Sequence, residues 1–214
     1  MKKLLGLSAL FLLTFLFSEK ATAQSSLTFL GSYGQTNQND ISKGIFGGGA
    51  QYRYFIKPNI AIGLSGKYLV ENLNHELSLK VLRGRATNIP VNLMAEYYFK
   101  TAGIQPYAGL EAGVNIQKIE GYNIAIDKSA VNPGLAPKIG VLLPIGRRLG
   151  FMVEAAYNIT LGSDNAVHMD PTKPNNDLYL LKNSKQSITV TGGIRYVFGK
   201  VAKKPERVPV ATEE

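Results

Sequence analysis

The chain contains no cysteine, no tryptophan and only two histidines in 214 residues. Without thiols there can be no disulfide, no thiolate metal site and no cysteine nucleophile. No cluster with metal-ligand spacing occurs, so neither metal nor other cofactor is expected. Long apolar runs are also missing. Beyond residue 23 none approaches the roughly 20 residues that a spanning helix needs. A soluble exported fold would satisfy that absence. So would a membrane protein built of strands, whose tilted segments need only about 9–11 residues of alternating character.

The apolar stretch at the N-terminus has a different look. Lys2 and Lys3 precede a run from Leu4 to Phe17 that is broken only by Gly6, Ser8 and Thr14, and Ala21-Thr22-Ala23 then forms a small-x-small cleavage site. Residues 1–23 are expected to be a signal peptide. Gln24 would become the first mature residue, and because it is not cysteine a lipoprotein anchor is not expected. Removing Lys2, Lys3, Lys20 and Glu19 lowers the formal net charge from +9 to +7. The remaining positive residues are scattered through the chain, which argues for solvated charge on an envelope protein and against a nucleic-acid partner. Residues 200–214 include Lys203, Lys204, Pro205 and Pro209, lack any pattern, and are expected to form a disordered periplasmic tail.

What is abundant is alternation. Eight segments show a two-residue period, at about 25–36, 44–56, 60–71, 87–99, 105–117, 136–145, 151–161 and 187–198. In the fourth, Ile89, Val91, Leu93, Ala95, Tyr97 and Phe99 share one face, and Asn88, Asn92, Glu96 and Tyr98 the other. Connections after the second, fourth and sixth segments are short, whereas those after the first, third, fifth and seventh are longer, up to the stretch 162–186. Aromatics on the apolar face gather beside the short turns and the last strand's end: Tyr52, Tyr54, Tyr97, Phe99, Phe151, Tyr196 and Phe198. Tyr33, Phe46, Tyr68 and Tyr157 fall toward the opposite ends. Pro137 sits poorly inside the sixth segment and suggests a later start for it.

The last segment carries a more specific order. Thr191, Gly193, Tyr196 and Phe198 read as polar, glycine, aromatic, aromatic, which resembles the C-terminal assembly signal of Gram-negative outer-membrane barrels. With the export signal, the dyad strands and the loop asymmetry, residues 24–199 resemble the small eight-stranded barrels of the OmpA transmembrane-domain and OmpX type. The resemblance implies an all-β, antiparallel up-and-down transmembrane barrel in the outer membrane. It implies lipid and lipopolysaccharide as surroundings, the barrel assembly machinery as a partner in biogenesis, and a surface or periplasmic protein as a candidate later partner. Members serve as envelope scaffolds, adhesion proteins and occasionally lipid enzymes, so activity does not follow from the architecture.

If the apolar faces meet lipid, the opposite faces line the interior. Arg53, Lys67, Glu96, Glu111, Lys138, Glu154 and Arg195 then all point inward. An eight-stranded barrel is just wide enough to be filled by side chains, and charges held there must pair. The expectation is a salt-bridged plug, with Arg53, Glu96, Glu154 and Arg195 clustered at the periplasmic end; a polar path for ions or small solutes is the alternative. Lys80, Arg83 and Arg85, in a loop expected at 72–86, are candidates to face lipopolysaccharide or simply to serve solubility. Catalysis finds little support. His75 with Ser78, and His168 with Asp170, fall in expected loops, where they are read as solvated residues and not as a lipid-hydrolysing site.

Overall fold

The computed structural model describes residues 24–36, 42–77, 80–121, 127–162, 166–167, 181–182 and 185–198. The expected signal peptide and C-terminal tail lie outside them. The strands are β1 (Ser25–Thr36), β2 (Ser42–Lys57), β3 (Ile60–Leu77), β4 (Lys80–Tyr98), β5 (Gln105–Gly121), β6 (Asp127–Pro144), β7 (Leu149–Thr160), β8 (Ala166–Val167), β9 (Leu181–Lys182) and β10 (Gln186–Phe198). Eight of them close into a barrel in the order β1-β10-β7-β6-β5-β4-β3-β2, every pairing antiparallel. Closure leaves no unpaired edge. Among the described residues, the short strands β8 and β9 pair with each other.

Side chains alternate across the wall as the sequence does, but the polarity is inverted relative to a soluble protein. Outward Phe29, Leu93, Ile139 and Ile194 are 60–68% exposed, whereas inward Gln51, Arg53 and Glu154 are at most 1% exposed. Lipid is the solvent that accepts such a surface. Outward aromatics form two belts. Tyr97 meets Phe99 edge-on at 5.5 Å and Tyr196 meets Phe198 at 4.9 Å beside the short turns; Tyr33, Phe46, Tyr68 and Tyr157 are exposed toward the other rim. Both chain ends of the barrel lie on the short-turn side, where Ser25 pairs with Phe198 and with Tyr54.

Three expectations change. The stretch 72–86 is not a loop: β3 and β4 run on as a paired hairpin, with Leu73 opposite Gly84 and Leu77 opposite Lys80. The hydrogen-bonded ladder thus continues beyond the stretch of alternating sequence. Beyond the lipid, no apolar outer face is required. Second, β6 starts earlier than expected, at Asp127, and contains both Pro133 and Pro137. The β6–β7 register passes over Ala136 and Pro137, just as the β3–β4 register passes over Pro90. Pro137 and Pro90, which have no N–H, thus each sit at a gap in one ladder while pairing on the other side. Third, the long 162–186 connection contains the β8–β9 ladder.

Glycines at the β2–β3 contact separate close packing from free space. A Cβ at Gly47 would fall on the carbonyl oxygen of Tyr68, whereas one at Gly66 would meet nothing within 4 Å. Gly47→Ala is therefore expected to cost about 1–3 kcal/mol through forced backbone displacement, and Gly66→Ala to be neutral or slightly stabilising. Urea unfolding midpoints in lipid vesicles check the contrast.

Candidate functional site

Six consecutive strands each contribute one charged side chain to a network in the lumen, where β3 also buries Glu71 apart from it: Arg53 from β2, Lys67 from β3, Glu96 from β4, Glu111 from β5, Lys138 from β6 and Glu154 from β7. Each is at most 4% exposed. Strand tilt and stagger bring them to a common level. Lys138 is the hub, its Nζ lying 2.7 Å from Glu96 Oε1, 2.8 Å from Glu111 Oε1 and 3.0 Å from Glu154 Oε2. Arg53 holds Glu96 with two prongs, Nε to Oε2 at 2.8 Å and Nη2 to Oε1 at 3.1 Å. Its Nη2 is also 3.9 Å from Glu154. Lys67 closes the other side, 3.5 Å from Glu111 and 3.6 Å from Glu154.

Neutral groups occupy the remaining lone pairs and donors. Gln51 donates to Glu111 at 3.2 Å and to Glu154 at 3.4 Å, and it accepts from Arg53 Nη2 at 2.6 Å. Ser65 and Asn92 each donate to Glu111 Oε2 at 3.2 Å. Thr28 accepts from Arg53 Nη1 at 2.9 Å. Tyr98 donates to Glu96 at 2.8 Å and Tyr107 to Glu154 at 2.9 Å. Burying three carboxylates is tolerable only with this degree of pairing. The tyrosines are the components that sequence reasoning missed as participants. Tyr107 lies on the inward parity of β5, two places before Gly109 and four before Glu111, and that parity was the available signal.

Arg195 departs from the expected cluster. It forms no ion pair among the described residues; its guanidinium carbon lies 5.8 Å from the centroid of Phe55, and its Nε and Nη1 have no hydrogen-bond partner. The three network carboxylates are already committed to Arg53, Lys67 and Lys138. Above the network the lumen carries shorter polar links, such as Ser32 with Thr191 at 2.9 Å and Asn132 to Gln117 at 3.1 Å. A cavity of about 20 Å³ lined by Glu71, Asn88 and Gln117 leaves room for little more than one water.

Of the other sequence candidates, those with described side chains take no part in the network. Thr191 and Gly193 face inward on β10, and Tyr196 and Phe198 face outward. Arg85 is exposed near the long-loop rim, opposite Glu120 in the ladder, and Glu120 is 2.7 Å from Lys118. The side chains of His75, Lys80 and Arg83 are outside the described residues, as are Ser78, His168 and Asp170. Among the described residues no group of three or more acidic or histidine side chains could hold a metal.

The closed eight-stranded barrel has solved counterparts. The outer membrane protein OprG from Pseudomonas aeruginosa superposes with a TM-score of 0.58 at 14% identity, covering 85% of this chain and 98% of that one. A major outer membrane protein from Thermus thermophilus gives 0.53 at 11% identity, with 83% and 100% covered. Neisserial surface protein A gives 0.52 at 14% identity, with 83% and 98% covered. The fold is that of the small outer-membrane β-barrels. No protein-family model and no curated protein sequence matches the chain. The apolar outer wall, the polar lumen and this fold together place the barrel in the outer membrane of a Gram-negative cell.

Proposed function

We propose that this barrel is a closed, non-conducting and non-enzymatic element of the outer membrane, acting as scaffold or surface-interaction protein through its long-loop side. The observation that carries the reading is the six-strand ion network. Lys138 alone spans the lumen to three carboxylates, and an ion passing that level would have to displace paired groups whose separation costs several kcal/mol. Interaction then belongs to the strand extensions and loops that stand beyond the lipid. Exposed Arg85, with Lys80 and Arg83 earlier in β4, supports contact with anionic lipopolysaccharide groups at the outer leaflet.

The test is conductance of the refolded mature protein in a planar lipid bilayer. Folded barrel, shown by a heat-sensitive shift in gel mobility, is expected to insert without stable openings. Reproducible openings from that same material would replace the scaffold reading with a narrow channel for ions or small solutes.

A further inference from the structure

On the outer wall, at the long-loop ends of β1, β10 and β7, an open cleft of about 350 Å³ is lined by Tyr33, Tyr157, Ile188 and Val190, with Gln35 and Gln186 among its polar lining. The register explains its position. Tyr33 lies opposite Val190, Gln35 opposite Ile188, and Ile188 in turn opposite Tyr157. These side chains point away from the lumen, and Tyr33, Ile188 and Val190 are more than half exposed. The next outward positions toward the membrane centre are Gly31 and Gly192, which face one another across the β1–β10 ladder. The barrel's own packing does not demand glycine there. A Cβ at Gly31 would find its nearest neighbour at 4.0 Å, and one at Gly192 at 3.8 Å, both ordinary contacts. The cleft therefore opens onto a low part of the wall, where Gly48 of β2 continues the outward row of Gly192 and Gly31 and the Phe151 ring borders Gly192.

We propose that this cleft retains the hydrocarbon chain of one outer-membrane lipid, with the lipid's ester region against Gln35 and Gln186. The cleft is continuous with the apolar face that already contacts lipid, which decides the occupant: whatever fills it must be miscible with hydrocarbon along its length. Its volume accommodates about a dozen groups the size of water or methylene, at roughly 30 Å³ each. The lining side chains include no charged group, so the polar end offers amide donors and acceptors suited to ester oxygens, and nothing to neutralise a phosphate. A second copy of the chain fits less well, because Tyr33 and Phe46 stand on one side of the glycine row Gly48, Gly31 and Gly192 and Phe29 on the other, which leaves a furrow for a rod, not a flat face for another wall.

Native mass spectrometry of the delipidated, refolded barrel tests the site, with palmitoyl-oleoyl phosphatidylethanolamine added as the probe. The wild type is expected to hold one lipid through collisional activation that strips all others. Val190→Trp and Ile188→Trp fill the cleft and should reduce that single adduct at least tenfold. Leu93→Trp, on the outward face of β4, should leave it unchanged. Folding of all variants is read independently from heat-modifiable gel mobility. A graded series of adducts that is equal in all four proteins would mean ordinary annular lipid and would overturn the proposal, as would a wild type that retains none.

Discussion

Replacing Lys138 with methionine is expected to destabilise the barrel by about 3–5 kcal/mol, the usual consequence of stripping one partner from a buried charge cluster. Methionine approximates the length of the lysine stem, so lost packing is a minor part of the effect. The major part is electrostatic. Three carboxylates that share one ammonium at 2.7–3.0 Å would be left with Arg53 and Lys67, and Lys67 is no closer than 3.5 Å. Urea unfolding in lipid vesicles gives the loss directly. A second substitution separates charge from shape. Glu111→Gln in the same chain removes the surplus negative charge while an amide oxygen can still accept from Ser65 and Asn92. The double variant should recover more than half the loss, and the coupling between the two sites should fall in the range of about 0.5–3 kcal/mol found for contacting residues. A loss below about 1 kcal/mol for Lys138→Met would mean that water screens the cluster, as it does exposed pairs. A hydrated lumen would also weaken the case for a closed barrel, so this measurement and bilayer conductance must agree.

Much of this architecture was legible in the sequence, and the gaps have definite causes. The first strand was bounded at 25–36 and the last at 187–198, within one residue of β1 and β10, because lipid enforces strict alternation over both. The hairpin extensions of β3 and β4 were not legible. There the constraint from lipid ends, and the two-residue period of the sequence lapses without ending the ladder. Parity puts Arg53, Lys67, Glu96, Glu111, Lys138 and Glu154 on one side of the wall, since period two is set by strand geometry, and these side chains are buried. It could not say which charges meet. Pairing across a lumen depends on tilt and stagger, which link residues far apart in sequence. Thus Arg195 was grouped with Arg53, Glu96 and Glu154, while Lys138, which touches all three carboxylates, was not. Tyr98 shares the polar face of its segment with Glu96, and Tyr107 the parity of Glu111, but parity does not show that their hydroxyls reach carboxylates.

Arg53 and Arg195 provide the sharpest contrast, because the same substitution should act with opposite sign at the two positions. Arg53→Met removes a two-pronged partner of Glu96 and the donors to Thr28 and Gln51. It leaves a buried carboxylate under-compensated, and a loss of about 3–5 kcal/mol is expected. Arg53→Lys keeps the charge but not the planar fork, so its loss should be intermediate. Arg195 has no carboxylate to orphan among the described residues. Its Nε and Nη1 are buried without partners, a condition that costs about 1–3 kcal/mol for each such group in a dry site. The rest of the half-buried side chain meets water, and losing that hydration offsets part of the gain. Arg195→Met should therefore stabilise by about 1 kcal/mol, at the low end of that range, and retain the stacking against Phe55 in apolar form. Unfolding midpoints of the three variants decide the matter. Equal losses for Arg53→Met and Arg195→Met would show that Arg195 has an anionic partner in the membrane-embedded protein, and the interior would then be a seven-membered network whose periplasmic mouth is also closed by charge.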